Sequence, residues 1–426
     1  MTSKSNKLRL ASGALLLSAS LVTLAGCAQH GKYTSKGLEN ANLRVAQMKA
    51  ATQWDMARQQ FLSGDLRKAQ RSIESSIALN DQVVKSHVLF GRILIERGEL
   101  EKALEVLQAA LDVDQPDVES VEIADANYYR GIVFERFSQP QHALEAYRAA
   151  SEADSTNPQF VLAAAEMLVE LGEIDEAKAQ LTGEVNHFEH NAGIRQMLGH
   201  IAMMDDDYES ARNYFEQATL LGAGDLSLRE DLVRAQVALG QFADAEANLA
   251  WILEDPAFQE RDDLFHLRAK CLLELNRPVE AREILSRLTS KRDNANNVDA
   301  WIDLGNSAIV LSDQPTLRRV GQRLMSIAPD RAEGFLLFAM WERSRSELED
   351  AVAVLYRGMK NNSSDARLPV VQGLIYQEMG NTELARRSFK MAINRDSTNV
   401  QAQQLLAAMR GKVLPNAVAE VSEDDQ

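Results

Sequence analysis

The sequence predicts an all-α solenoid in which one helical hairpin is repeated about ten times. Three observations predict it. Alanine returns mostly in steps of 34 residues from Ala69 to Ala385, a small residue recurs twelve positions before it, and a bulky apolar residue recurs four positions after it. Small residues let two helices approach closely, and a large side chain fills the space beside them. A period of this length indicates hairpins that stack on one another to bury their apolar faces.

The alanine defines position 20 of a common frame, and nine of the ten repeats carry it. Glycines such as Gly64 and Gly380 are placed to end the first helix of a hairpin. Prolines such as Pro158 and Pro278 fall at helix starts, where a missing N–H costs little. In this frame the repeats begin at Ala50, Val84, Ala124, Pro158, Ala192, Leu226, Asp262, Val298, Ala332 and Ala366.

The eighth repeat departs from the pattern. It has Leu317 in place of the alanine and Gly321 in place of the bulky residue. Loss of these contacts, together with a glycine inside the second helix, predicts a looser stack and a hinge between repeats 7 and 8. The alternative is a repeat that is repacked locally, and the sequence favours neither.

The motifs resemble the tetratricopeptide repeat family. Trp301-x-x-Leu304-Gly305 matches the opening of its repeat, and Gly373-x-x-Tyr376 followed by Ala385-x-x-x-Phe389 matches its body. The resemblance covers residues 50–399. It implies a right-handed superhelix whose concave face binds proteins or peptides, with no enzymatic activity and no cofactor.

The N-terminus has the features of a bacterial lipoprotein signal. Basic residues from Lys4 to Arg9 precede an apolar run over residues 10–25, which is short for a membrane span, and the run leads into Leu-Ala-Gly-Cys at Cys27. This ending resembles a lipobox, in which the cysteine is lipidated and becomes the first mature residue. Ala28 follows it, and the resemblance then implies the outer membrane, with the protein facing the periplasm.

These signals give the expected domain organisation. A signal peptide is followed by a tether with a leading helix, by ten repeats, by a capping helix and by a disordered acidic tail. The repeats form either one array or two blocks, 50–297 and 298–399. The signal peptide is residues 1–27 and the tether with its leading helix is residues 28–49. The capping helix is residues 400–411 and the tail is residues 412–426.

Composition limits the possible functions. The formal net charge is −16, which disfavours binding of nucleic acid. No phosphate-binding loop, nucleophile elbow or zinc-protease motif occurs in the sequence. The nearest metal-like spacing is the pair His187 and His190, with His200 further on, and the pair is more simply explained as part of a solvated turn between repeats 4 and 5. Cys271 is the one cysteine besides Cys27 and is expected to be a buried apolar residue.

The candidate binding residues follow from the family resemblance, because positions 5 and 9 of each first helix face its concave groove. The C-terminal repeats are unusually apolar there, which indicates either a groove for a peptide or helix, or a packed seam between helices. The absence of lysines at position 5 argues against a carboxylate clamp. The candidates are Trp54, Arg58, Val88, Arg92, Tyr128, Ile302, Asn306, Leu336, Met340, Val370 and Leu374.

The chain also resembles tetratricopeptide lipoproteins of the bacterial envelope, such as those that assemble the Tad pilus and type IV pili. The resulting expectation is a lipid-anchored periplasmic scaffold that helps assemble a pilus, a secretion machine or a polysaccharide exporter. The alternative is an adaptor that delivers substrates to a periplasmic protease or peptidoglycan hydrolase. The partner and the oligomeric state are not encoded in a recognisable motif.

Overall fold

A computed structural model describes residues 32–113 and 118–409. The signal segment 1–27 with Cys27, the first residues of the tether and the tail 412–426 lie outside the described residues. The contact pattern divides the chain into two compact units, Met1–Leu171 and Gly172–Gln426. The two blocks expected to meet at residues 297 and 298 stay a prediction.

Unit 1 contains the first seven helices. They are α1 Lys32–Leu62, α2 Leu66–Leu79, α3 Val84–Glu96, α4 Leu100–Leu111, α5 Ser120–Arg136, α6 Pro140–Ala153 and α7 Pro158–Glu170.

Unit 2 contains fourteen α-helices and a short 3-10 turn at Pro256–Phe258. The helices are α8 Ile174–Glu184, α9 Ala192–Met204, α10 Tyr208–Leu221, α11 Leu226–Ala238, α12 Phe242–Ile252, α13 Asp262–Glu274, α14 Pro278–Ser290, α15 Val298–Val310, α16 Gln314–Ile327, α17 Glu333–Ser344, α18 Leu348–Asn361, α19 Arg367–Glu378, α20 Thr382–Arg395 and α21 Val400–Ala408.

The all-α prediction is confirmed, because the described residues form helices and no strand. Several first helices begin where the repeat frame places them, for example α3 at Val84 and α9 at Ala192. None of the helices in residues 32–113 and 118–409 is long and apolar enough to cross a bilayer.

Every repeat makes the same turn between its two helices. Position 15 has positive φ in all ten repeats, within 54–80°. Five of these residues are glycines, which adopt this conformation without strain, and the sequence marks them. The fold therefore imposes the same turn on repeats that have no glycine at this position. The five non-glycine residues are Ser138, Asp206, Asn276, Ser312 and Ser346.

The small residues and the bulky residues pack against each other as the sequence predicts. All nine alanines at position 20 have no exposed surface. A Cβ atom added to Gly91 would overlap the side chain of Leu107, and one added to Gly131 would overlap the ring of Tyr147. The small residue at position 8 therefore leaves a gap between the two helices of a repeat, and the side chain at position 24 fills that gap.

The eighth repeat fills the same gap in another way. Leu337 of the next repeat, together with Val320, occupies the space above Gly305 that position 24 fills elsewhere. Gly321 lets α17 approach α16 closely, since an added Cβ would lie 2.8 Å from the backbone nitrogen of Phe338. Leu317 is 3% exposed and joins one core cluster with Leu285 and Leu337. These contacts show a repacked repeat.

The two ends of the described chain differ. The expected leading helix runs without interruption into the first repeat, since no glycine or proline separates Leu38 from Ala50. Its apolar side chains, Leu38 and Met48 among them, are exposed. At the other end, α21 lays Leu406 against Phe389 of the last repeat.

Candidate functional site

One face of unit 2 brings six of the predicted binding residues together. They lie on α15, α17 and α19, the first helices of the last three repeats, and line a cavity of about 300 Å³. We call this cavity the C-terminal groove. Its members from the sequence-based set are Ile302, Asn306, Leu336, Met340, Val370 and Leu374.

The groove is apolar at its centre and open to solvent. Val370 is 3% exposed, whereas Leu336, Met340 and Leu374 are partly buried. Asn306 is exposed and places a carboxamide at the edge of the apolar surface. Such a surface can take up apolar side chains of a helix or an extended segment and offer them few polar contacts.

Two residues that line the groove, Glu333 and Arg367, belong to a charged network. Arg367 lies 3.0 Å from Glu333 and 2.6 Å from Asp365, and Arg331 lies 3.2 Å from Glu333. Burial tends to raise the pKa of Glu333, but hydrogen bonds from Arg331 and Arg367 hold that pKa below its usual value. The carboxylate of Glu333 is therefore held in its charged form beside the apolar floor.

The groove includes residues that the sequence analysis did not select. Glu333 and Arg367 stand at position 2 of their repeats, and Ile309 stands at position 12. In the family these positions also face the groove, so the signal was present although only positions 5 and 9 were used. Asn399, the last residue of the tenth repeat, caps the start of α21, and Gln401 lies in α21 beyond the repeat frame.

The N-terminal candidates lie in a different environment, in unit 1. The indole Nε1 of Trp54 donates to the carbonyl of Lys85 at 3.3 Å, and Arg58 lies 5.9 Å from the indole ring. The guanidinium of Arg92 lies about 5 Å from the rings of both Phe61 and Tyr129.

Two further N-terminal candidates are packed. Val88 is 6% exposed, and the ring of Tyr128 contacts those of Tyr147 and Phe160 at 5.5 and 5.2 Å. Arg92, Val88 and Tyr128 therefore form a seam between helices, which leaves Arg58 as the exposed member of the N-terminal set.

The histidines of the metal-like spacing contact different neighbours. His187 stacks edge-on against Phe188, while His200 lies 3.3 Å from the carboxylate of Asp231. Among the described residues no group of three or more histidines, cysteines or acidic residues is arranged to hold a metal ion. The Cys271 side chain is buried, and burial raises the pKa of its thiol to about 11.

Comparison with known proteins identifies the repeat. The family model described as tetratricopeptide repeat matches residues 55–119, 88–158 and 230–297. Proteins built from this repeat are generally non-enzymatic scaffolds that bind other proteins. A search of curated proteins with this sequence finds no match.

Solved structures with similar folds include three tetratricopeptide or pilus proteins. A tetratricopeptide repeat protein from Parabacteroides merdae is 16% identical, with a TM-score of 0.42 over 56% of this chain and 92% of that one. PilW, a type IV pilus biogenesis factor, is 19% identical, with a TM-score of 0.42 over 50% and 95%. PilF of Pseudomonas aeruginosa is 19% identical, with a TM-score of 0.37 over 63% and 98%.

The match of the family model agrees with the hairpins, the turns and the packing columns described above. The chain therefore contains tetratricopeptide repeats and has the fold of an all-α tetratricopeptide solenoid.

Proposed function

We propose that this protein is a non-enzymatic, lipid-anchored periplasmic scaffold that helps to assemble an envelope machine such as a pilus, a secretion system or a polysaccharide exporter. In this proposal the lipid on Cys27 attaches the chain to the outer membrane, and the C-terminal groove binds a partner protein. The lipobox-like ending at Cys27 supports the attachment.

The observation that carries the proposal is the C-terminal groove. Three successive repeats place partly buried apolar side chains along one cavity. Apolar side chains gathered in this way indicate a binding site, whereas single exposed apolar residues scattered over a surface do not. A helix or extended segment of a partner would bury these side chains and release water from them. Anchoring residues of this kind contribute most of the binding energy in protein interfaces.

The test is capture of partners from a detergent extract of the envelope. The wild-type protein is compared with a variant that carries Leu336→Ser, Met340→Ser, Val370→Ser and Leu374→Ser. We expect the wild type to retain a component of an envelope machine and the variant to lose it. Loss of several apolar anchors costs about 1–2 kcal/mol each, so the affinity falls at least about a hundredfold.

A matched control carries the same number of apolar-to-serine changes outside the groove. Met204, Leu220, Val279 and Val310 are each at least 48% exposed and suit this purpose. Circular dichroism of both variants shows whether the helices persist. Retention of the same partners by the groove variant would contradict the proposal, and so would equal loss from the control variant.

A further inference from the structure

Unit 2 has a second groove, formed by the second helices of the last two repeats. It lies between α18 and α20, with α19 as its floor, and encloses about 440 Å³. We call it the basic groove. Its polar lining residues are Tyr356, Lys360, Gln372, Tyr376, Arg387, Ser388 and Arg395.

The basic groove is separate from the C-terminal groove. The two share α19 but use different faces of it, since Val370 and Leu374 line one and Gln372 and Tyr376 line the other. Residues two apart on a helix point about 200° from each other, so these pairs face nearly opposite directions. Occupancy of one groove therefore leaves the other accessible.

The lining of the basic groove is rich in hydrogen-bond donors and cations. None of its ten described lining residues is an aspartate or glutamate, although the chain as a whole has a net charge of −16. Lys360 and Arg387 are exposed, and neither has an ion-pair partner among the described residues. Two unpaired cations that line one cavity from the second helices of successive repeats, in a protein of negative net charge, indicate an anionic ligand.

Two deeper groups complete the site. Gln372 is 6% exposed, and its Oε1 accepts a hydrogen bond of 2.8 Å from Ser388, so its amide N–H groups remain available to the groove. Arg395 is anchored by Nη1, which donates to the backbone carbonyl of Asp365 at 2.8 Å. Tyr356 is 68% exposed and offers a ring and a hydroxyl at the entrance.

A cavity of opposite charge adjoins the basic groove. It shares Tyr356, Gln372 and Tyr376 with the basic groove. Its charged lining residues are Glu342, Glu349, Asp350 and Arg357. Asp350 and Lys360 stand at the two ends of α18, which places them about 15 Å apart along the helix. A nucleic acid backbone or an anionic lipid surface presents negative charge only, whereas a protein segment can carry charges of both signs at this separation.

We propose that the basic groove docks an acidic segment of a partner protein. Carboxylates of the segment bind Lys360, Arg387 and Gln372, an apolar side chain lies on Tyr356, and a basic residue further along meets the carboxylates of the adjoining cavity. This site lies outside the C-terminal groove that the proposed scaffold function uses, so the protein can hold two partners at once.

The test measures binding of a rhodamine-labelled peptide to the purified full-length protein by fluorescence anisotropy at low salt. The probe has a run of glutamates, a Leu-Ala-Ala-Leu spacer and a run of lysines. Arg387→Glu and, independently, Lys360→Glu are expected to weaken binding roughly fivefold or more. Lys390→Glu is the matched control, because Lys390 is exposed on α20 but does not line the groove, and it is expected to change affinity less than about twofold.

Several outcomes overturn the proposal. One is equal affinity of all variants, and another is equal binding of a probe with glutamines in place of the glutamates. Loss of peptide binding in the Leu336→Ser and Leu374→Ser variant, with Arg387→Glu unaffected, would place the peptide in the C-terminal groove. Failure of partner capture through the C-terminal groove, by contrast, leaves this result unchanged.

Two other occupants are distinguished in the same way. If Arg387→Glu abolishes an excess of binding to phosphatidylglycerol vesicles over phosphatidylcholine vesicles without changing peptide affinity, a membrane surface is the ligand. If neutralising Glu420, Glu423, Asp424 and Asp425 to amides raises peptide affinity about tenfold, the chain's own acidic end occupies the groove. Either result overturns docking of a partner segment.

Discussion

Glycine at position 8 of these repeats acts through its size, because it gives a neighbouring aromatic or aliphatic side chain room to lie between two helices. In the fifth repeat the partner of Gly199 is Phe215, which is 1% exposed. A Cβ atom on Gly199 would lie 2.5–2.8 Å from three carbons of this ring. Since the ring is enclosed, neither residue can move away without disturbing the helix pair.

Gly199→Ala is therefore expected to destabilise the protein by about 1–3 kcal/mol, although alanine favours helices more than glycine does. The measurement is the urea midpoint of unfolding followed by circular dichroism. Gly183→Ala is the control, because Gly183 lies in α8 with no atom near its missing Cβ. It is expected to stabilise by about 0.5–1 kcal/mol.

A double variant sharpens this test. Phe215→Leu makes room at the same gap, so Gly199→Ala should cost less in that background than in the wild type, and the two effects should not add. A stabilising Gly199→Ala, or strictly additive effects, would show that the close approach described here is not the constraint.

At the scale of elements, α16 shows that one repeat can change its partners and keep its place in the stack. The two departures of the eighth repeat are complementary: Leu317 adds volume where alanine is usual, and Gly321 removes volume where a bulky residue is usual. The missing side chain is replaced by Leu337 from α17. The gap beside Gly305 is thus filled by a side chain of the next repeat, whereas in other repeats a side chain of the same repeat fills it.

Gly321→Ala tests this transfer. An added methyl group would press on the backbone of Phe338, which has no rotamer to escape into, so we expect a loss of about 1–3 kcal/mol in a urea titration. Gln322→Ala, one residue along the same helix and exposed, is expected to stay within about 0.5 kcal/mol of the wild type. If both variants are neutral, α16 is loosely packed and the hinge is the better hypothesis.

At the scale of the whole molecule, the net charge disfavours attachment to an anionic membrane through charged side chains, so the proposed attachment depends on the lipid on Cys27. The chain has 62 acidic and 46 basic residues, so its surface repels anionic lipid headgroups at neutral pH. A single acyl chain gives weak binding, but a lipidated N-terminal cysteine with several chains holds a protein firmly. The proposed scaffold would then reach its partners from the membrane through its repeats.

Metabolic labelling with an alkyne fatty acid tests the attachment. We expect label on the wild-type protein and none on Cys27→Ala, with the labelled protein in the outer-membrane fraction of a density gradient. Cys271→Ala removes the other cysteine and should keep the label, because Cys271 is buried within α13. Label on Cys27→Ala, or an unlabelled wild type, would refute lipidation at Cys27.

The sequence by itself determined the class of fold, the repeat frame and the C-terminal binding candidates. This was possible because the residues that make the same contact in each repeat recur at a fixed spacing in the sequence. Nine alanines at that spacing predict nine buried positions, and each is buried. The six C-terminal candidates share one cavity because positions 5 and 9 recur on successive first helices. Whether that cavity binds a partner stays a prediction.

Only the tertiary structure decided which side chains are buried and which are free to bind, where this depends on contacts with residues of other repeats. It showed that Arg92 and Tyr128 are packed among aromatic rings, whereas Leu336 and Met340 line an open groove. It also brought Lys360 and Arg387 to one cavity, although they belong to different repeats and neither follows a motif. Burial and charge at such places arise from the stacking of one repeat on the next, and a single repeat does not encode them.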